Sequence, residues 1–231
     1  MTDAVYIISA PSGSGKSTLV GKVRQIVPGL EFSISYTTRR PRGKEQNGRE
    51  YFFISREEFE EMIRRDEFLE YAEVFGNWYG TAKCFLEDAK QKGNALLLDI
   101  DVQGAAQIKR KLPHATSIFI LPPNRQTLEQ RLRDRSLDAE EVIQRRLVTA
   151  SREIENYQKY DYILINDRLE ESIEALKAIL LADRLQHPGI QRSAADNEML
   201  ARAESCRLKN VEERLQPILA SFAVAAAPKV H

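Results

Sequence analysis

An α/β fold, with a parallel core sheet flanked by helices and a small mixed β lobe, is predicted by three features of the sequence. Short apolar runs alternate with segments of helical periodicity over the first 180 residues. A Gly-rich turn joins the first run to the first helix, and the alternation lapses once, around residues 33–82. Apolar runs covered on both faces belong to parallel strands, and the helices between them supply the crossovers.

The runs are Val5–Ala10, Ala95–Leu98, Ser117–Leu121 and Tyr162–Ile165, aliphatic or β-branched almost throughout. Ser17–Val27 puts Leu19, Val20, Val23 and Ile26 on one helical face before Pro28-Gly29 stops it. Ser55-Arg56-Glu57-Glu58 has the form of a capping box and opens a helix to about Arg65. Further on, Phe85–Lys92 stops at Gly93 and Ala105–Leu112 stops at Pro113. Asn124 is placed to cap Arg125–Arg133, and Asp138 to cap a helix reaching about Tyr157. Phe32–Ser35, Tyr51–Ile54 and Phe68–Phe75 read as strands joined without long helical crossovers, around the loop Thr37–Glu50. They define the inserted, partly antiparallel lobe. From about His187 the character changes. Leu208, Val211, Leu215, Ile218 and Phe222 fall at helical spacing, which predicts an amphipathic helix packed on its own domain or on a second copy of the chain.

Composition narrows the function. With 34 basic and 34 acidic residues the formal net charge is zero, so the positive field of a dedicated nucleic-acid binder is missing. Phosphate chemistry must come from local clusters of charge. Cys84 and Cys206 lie far apart without metal-ligand spacing, as expected in a reducing, cytoplasmic setting. No apolar stretch approaches the ~20 residues of a membrane span, and no signal-peptide pattern opens the chain. Neither a membrane nor a nucleic acid is expected as a partner.

Ala10-Pro11-Ser12-Gly13-Ser14-Gly15-Lys16-Ser17 matches the phosphate-loop pattern G-x-x-x-x-G-K-[ST], with Ala10 where the first Gly is usual. Gly13 and Gly15 permit backbone geometries that aim successive N–H groups at a phosphate. Lys16 supplies a charge for the β- and γ-phosphates, and Ser17 a hydroxyl for Mg²⁺, at a helix N-terminus whose dipole favours anions. Thr18 completes the expected ATP contacts. The octet follows a strand and opens a helix, the context the motif requires. An ordinary Gly/Ser turn would need neither.

Downstream, Ser35-Tyr36-Thr37-Thr38-Arg39-Arg40-Pro41-Arg42 and Asn47-Gly48-Arg49-Glu50-Tyr51 crowd guanidinium and hydroxyl groups together. Arg forks suit a phosphate monoester dianion. Then follow Glu67–Ala72, Gly76-Asn77-Trp78-Tyr79-Gly80-Thr81, and Leu98-Asp99-Ile100-Asp101-Val102-Gln103-Gly104. With these motifs in this order, the chain from about Val5 to Leu180 resembles the guanylate kinase family, within the P-loop nucleoside monophosphate kinases. The resemblance implies a domain over 1–183, with a core (1–32 and 83–183), a GMP-binding lobe (33–82) and a lid within 124–157. It leaves 184–231 as a helical C-terminal extension. It further implies that Arg39, Arg42, Tyr51 and Tyr79 hold the phosphate of GMP, and that Ser35, Glu70, Thr81 and Asp101 read guanine and its ribose side.

Elementary chemistry agrees with that guanine reader. Guanine presents N1–H and N2–H₂ donors side by side, and one ionised carboxylate at Glu70 accepts from both. Adenine offers a ring-nitrogen acceptor there, and a site built around hydrogen bonds rejects it by roughly 10⁴-fold. Ser35 and Thr81 hydroxyls are placed to donate to guanine O6. Asp99 and Asp101 end an apolar strand at the sheet edge where α/β folds bind ligands. Asp99 is the candidate for the Mg²⁺ shell; Asp101 is assigned to the nucleotide, with helix capping as a competing or coexisting role.

Arg131-Leu132-x-x-Arg135, followed on the next helix by Arg146, resembles the lid of this family. These arginines would neutralise charge as the phosphoryl group moves. Ser136-Leu137 stands where the family commonly carries a Gly-containing turn. Asn166, after the run Tyr162–Ile165, is assigned to the adenine of ATP. The expected reaction is γ-phosphoryl transfer from ATP to GMP with Mg²⁺. The acceptor's second pKa near ~6 leaves it largely dianionic, so no general base is needed. His114, His187 and His231 lie outside every motif. Two alternatives stand beside it: a non-catalytic interaction module of the same fold, and a kinase of another small phosphate such as a ribose bisphosphate.

Overall fold

The computed structural model describes residues 4–74, 76–135, 139–186 and 191–223. In chain order the elements are β1 (Val5–Ser9), α1 (Lys16–Ile26), β2 (Leu30–Phe32), β3 (Tyr36–Thr37), β4 (Phe52–Phe53), α2 (Arg56–Arg64), β5 (Phe68–Val74) and β6 (Asn77–Ala82). They continue with α3 (Cys84–Lys92), β7 (Ala95–Asp99), α4 (Val102–Lys111), β8 (Thr116–Leu121), α5 (Arg125–Arg135) and α6 (Glu140–Ile154). A 3₁₀ turn at Tyr157–Lys159, β9 (Tyr162–Ile165), α7 (Leu169–Leu185), α8 (Ala194–Ser205) and α9 (Leu208–Ala223) complete it. The chain divides into two compact units, Met1–Ile8 with Pro28–Thr116, and Ser9–Val27 with Ser117–His231.

In the first unit β7 lies between β2 and β1, parallel to both, with Leu30 opposite Ala95 and Val5 opposite Leu96. The inner residues Tyr6, Ile7, Ile8, Leu97 and Leu98 are wholly buried, which is why these strands read as uninterrupted apolar runs. The same unit carries a four-stranded mixed sheet in the order β4–β3–β6–β5. Here β3 is parallel to β4 and antiparallel to β6, and β6 is antiparallel to β5. In the second unit β8 and β9 run parallel with Ile118 opposite Tyr162, and α1 packs on α7, which also meets α8. Among the described residues no helix is long and apolar enough to cross a membrane.

Caps fix several helix starts. Ser55 Oγ accepts from Glu58 N at 3.1 Å, Asp101 Oδ1 from Gly104 N at 2.8 Å, and Asn124 Oδ1 from Thr127 N at 2.7 Å. Each satisfies a first-turn N–H that has no intrahelical partner.

The structure corrects three sequence expectations and adds two elements that the sequence reading did not delimit. Phe32–Ser35 is not one lobe strand: Leu30–Phe32 pairs with β7, Ser33 N donates to Leu97 O at 3.1 Å, and only then does the chain leave for β3. Asn77–Ala82 is a strand of the small sheet; its aromatic-then-small order hides the alternation that marks a strand. Ile26 is 45% exposed, and Val27, beyond the helix end, turns inward in its place. The helix opened before Glu140 stops at Ile154, and Tyr157 belongs to the separate 3₁₀ turn. Finally, α8 fills part of the tail, opened by a reciprocal capping box between Ser193 and Asp196. Ser136, Leu137 and Asp138 lie outside the described residues, as do Phe75, His187 and His231.

Candidate active site

The Ala10–Ser17 loop leaves β1 and enters α1 at Lys16, with Gly15 at the helix N-cap in a left-handed conformation (φ 88°). Space as well as φ demands glycine there: a Cβ on Gly15 would lie 2.3 Å from Asn166 Nδ2. Asn166 is buried after β9, and its amide donates to Ser14 O at 2.7 Å. From α5, Arg131 donates to Asn166 O at 3.0 Å and to Ser14 O at 3.5 Å. Arg146 on α6 donates to Ser12 Oγ at 3.1 Å. Thus Arg131, Arg146 and Asn166, distant in sequence, converge on the loop within one compact unit. Ser17, Thr18, Arg131 and Asn166 border a cavity of about 430 Å³ beside Gly13 and Gly15. Asp167 and Leu169 complete its lining, and the hydroxyls and guanidinium on the loop side are fit for a polyphosphate. The side chain of Arg135 lies outside the described residues.

The other unit gathers the second set. Glu70 on β5 faces Thr81 on β6 across the strand pair, and Thr81 Oγ1 donates to Glu70 Oε1 at 2.6 Å. Both side chains are buried. Burial pushes the Glu70 carboxyl up from 4.5 to about 7, with the charge of Asp101 adding to the rise and the hydrogen bond from Thr81 opposing it. The carboxyl owes its place to Gly104, since a Cβ there would lie 2.5 Å from Glu70 Oε2 and 3.0 Å from its Cδ. One turn of α4 further, Gln107 accepts from Tyr71 N at 3.3 Å and donates to Tyr71 O at 2.6 Å, and Lys111 donates to Leu69 O at 2.5 Å. Gly104, Gln107 and Lys111 share one face of α4, so a single helix stripe seats the edge strand on both sides of Glu70.

Arg39, Tyr51 and Tyr79 also come together. The Arg39 guanidinium lies 5.3 Å from the Tyr51 ring centroid, and Tyr51 and Tyr79 make an edge contact at 5.9 Å. Arg39 Nη1 and Nη2 donate to the two oxygens of Glu45 at 2.9 and 3.0 Å, and Arg42 N donates to Glu45 Oε2 at 2.7 Å. Hydrogen bonds from Arg39 hold the Glu45 carboxyl below the usual carboxylate range. The Arg42 side chain itself is exposed. Ser35 sits beside β3 with its carbonyl accepting from Phe52 N at 2.9 Å. Asp99 ends β7, and Asp101 caps α4, so the capping role weighed for Asp101 is realised.

Glu45, Gly104 and Gln107 carry no assignment from sequence. Gly104 and Gln107 fall at helical spacing after Asp101, a signal that exists but does not say which strand the helix face meets. Glu45 has no pattern of its own and is found only when the loop folds back on Arg39. Among the described residues no group of three or more His, Cys, Asp or Glu side chains gathers.

Comparison with known proteins places this geometry. A family model described as guanylate kinase matches residues 2–183. The guanylate kinase of Koribacter versatilis is 58% identical, covering 99% of this chain and 100% of its own length. That of Escherichia coli K12 is 49% identical over 79% of this chain and 89% of its own. A crystal structure of guanylate kinase from Anaplasma phagocytophilum superposes with a TM-score of 0.66 at 35% identity, over 79% of this chain and 87% of that one. The chain therefore belongs to the guanylate kinase family and is a nucleotide kinase.

Proposed function

We propose that this enzyme transfers the γ-phosphoryl group of ATP to GMP, giving ADP and GDP, and that it works as a core, a GMP-binding lobe over 33–82 and a lid within 124–157. The single observation that carries the choice of acceptor is the buried Glu70 carboxyl, held by Thr81 and given room by Gly104. Burial of this carboxyl outweighs the opposing pull of Lys111, so the ionised group is costly to maintain. Such a group makes sense where a ligand brings two adjacent N–H donors to it, as guanine does.

In this reading the residues Ala10 to Thr18 hold the ATP phosphates, with Lys16 neutralising charge at the transferred group. Arg131, Arg135 and Arg146 stabilise the charge that spreads over the phosphoryl oxygens in a loose transition state. Asn166, whose amide is engaged with Ser14 O, borders the nucleotide cavity and fixes the loop. Arg39, Arg42, Tyr51 and Tyr79 hold the GMP phosphate, while Ser35, Thr81 and Asp101 complete the contacts around Glu70. Ser17 and Asp99 would hold Mg²⁺, directly or through water, and the ion supplies charge neutralisation at the phosphate oxygens. No proton needs to leave a dianionic phosphate acceptor. Alignment and electrostatics then account for the catalysis.

The alternatives have less support. An interaction module has no need of Lys16 at a helix N-terminus with Arg131 and Arg146 converging on the same loop. A ribose bisphosphate offers only hydroxyls, not the adjacent pair of N–H donors that guanine would bring to Glu70. Cys84 and Cys206 as free thiols fit a cytoplasmic setting. ATP and GMP suffice as partners, and neither a nucleic acid nor a membrane is needed. The test is direct: with γ-labelled ATP and GMP, label should appear in the terminal phosphate of GDP. Label released as inorganic phosphate at the same rate with and without GMP would refute the assignment.

Two smaller predictions arise here. With the Glu70 carboxyl at about 7, only about a tenth is ionised at pH 6 and about nine-tenths at pH 8. Because guanine needs the ionised form, the KM for GMP should rise about tenfold on going from pH 8 to pH 6. The phosphate of GMP titrates near ~6 as well. Glu70→Gln should abolish the limb near pH 7 and leave only the lower one. Secondly, Glu45→Ala removes the carboxylate that orients the nearly buried Arg39 fork. We expect the KM for GMP to rise about tenfold with the KM for ATP unchanged, measured by initial rates; a fall in the GMP value would mean that Glu45 competes with the phosphate instead.

A further inference from the structure

We propose that α9 clamps the root of the α5–α6 pair and thereby holds Arg131 and Arg146 at the Ala10–Ser17 loop, with Ser221 as a positioning residue. The proposal rests on the assignment of those arginines to the ATP side. Residues beyond 183 fall outside the matched family model, and the Escherichia coli relative aligns over only 79% of this chain, whereas the Koribacter relative aligns over 99%. The extension thus adds something that the common domain does without.

Its start is fixed on β9. Ile163 N donates to Cys206 O at 2.8 Å, Leu208 N donates to Asp161 O at 3.2 Å, and the Arg207 guanidinium lies 4.2 Å from the Tyr162 ring centroid. From there α9 buries Val211, Leu215, Ile218 and Phe222 and meets α5 and α6. Ser221 Oγ accepts from Arg125 N at 3.0 Å, while its own hydroxyl donates to Ile218 O at 2.6 Å. Arg125 opens α5, so its N–H is one that the helix itself cannot satisfy. A helix far along the chain supplies the cap. At the other side of the pair, Leu219 and Phe222 share a groove with Ile154 and Tyr157, where α6 ends.

Both contacts lie at the root of the pair. At 1.5 Å per residue, Arg131 stands about 9 Å along α5 from Arg125, and Arg146 about 12 Å from Ile154. A 10° tilt about that root would move either guanidinium by roughly 2 Å, enough to break bonds of the length seen to Ser12 and Asn166. Clamping the root therefore sets where the two charges fall.

The test uses the full chain with Ser221→Ala, Ser221→Thr and Phe222→Ala, assayed well below each variant's melting temperature. Ser221→Ala and Phe222→Ala should lower kcat/KM for ATP about fivefold or more and leave the KM for GMP within twofold. Ser221→Thr keeps the acceptor oxygen and should match the parent. Should Phe222→Ala fail to fold, the Ala/Thr pair at 221 decides. Unchanged ATP constants in the folded variants, or equal losses toward ATP and GMP, would overturn the clamp. If the parent protein does not phosphorylate GMP, it is the reaction assignment that fails. Equilibrium ATP binding to the same variants then reads the clamp independently: weaker binding to Ser221→Ala than to Ser221→Thr supports it, and equal binding overturns it.

Discussion

Glu70→Gln is expected to lower kcat/KM for GMP by about 10³-fold while making the unliganded fold more stable above neutral pH. The loss follows from the chemistry of the edge that guanine presents. A carboxylate accepts from N1–H and N2–H₂ together, in hydrogen bonds strengthened by its charge. The amide of Gln accepts through one atom and turns its own N–H₂ toward the remaining donor, so one good bond and the charge are both lost. ATP binding should be untouched, because the side chains seen to engage the loop are Arg131, Arg146 and Asn166 rather than Glu70. A collapse of ATP affinity in this variant would show that Glu70 has been misassigned.

The gain in stability has its own origin. Glu70 has a folded-state pKa of about 7 against an ordinary 4.5, raised mainly by burial. Below 4.5 the carboxyl is protonated in both folded and unfolded chains and costs nothing. As pH rises through 4.5 the unfolded chain ionises first, and folding stability falls until the folded group ionises near 7. At about 1.4 kcal/mol per pH unit, the span amounts to about 3 kcal/mol. Gln carries no such penalty and still accepts from Thr81 Oγ1. Denaturant melts at pH 5 and pH 8 should therefore show the variant's advantage growing with pH; an advantage that shrinks would contradict the burial of an ionisable Glu70. On the proposed reading, guanine binding would offset this cost in stability.

Lys16→Ala is the second large effect. Lys16 is the first residue of α1 and the charged member of the loop. Its ammonium is expected to follow the transferred group, where charge develops in a site poor in water and each fixed donor counts for several kcal/mol. Turnover should fall by about 10³-fold or more. The fold should survive, since Ala is the best helix former and the position is only half-buried. Circular dichroism and a melting temperature within a few degrees of the parent would separate lost chemistry from lost structure. Retained turnover would overturn the loop assignment outright.

What could be read from sequence depended on whether the information was contiguous. The Ala10–Ser17 loop is a local motif between a strand and a helix, and the structure has both in place. Parallel strands such as Ala95–Asp99 were legible because burial on both faces leaves an uninterrupted apolar run. The break between β2 and β3 was not, since Leu30–Phe32 and Tyr36–Thr37 form one polar-tolerant stretch whose two halves pair with different sheets. Glu70 and Thr81 lie eleven positions apart and became a pair only through the antiparallel register of β5 and β6. Their roles came from family resemblance, not from pattern. Gly104 shows the limit well: its absent side chain matters because a carboxyl from another element fills the space. Ser221 on α9 is a similar case, since nothing in its neighbourhood along the chain points to Arg125.

If the buried carboxylate selects guanine for phosphoryl transfer from ATP, the preference must show in the range of acceptors. Initial rates of ADP formation from ATP with GMP, AMP, CMP, UMP and a ribose bisphosphate, run in parallel at pH 8 where Glu70 is ionised, test it most directly. The kcat/KM for GMP should lie at least 10³-fold above that for AMP and above each other acceptor. Equal turnover of AMP and GMP, or a preference for the ribose bisphosphate, would contradict it.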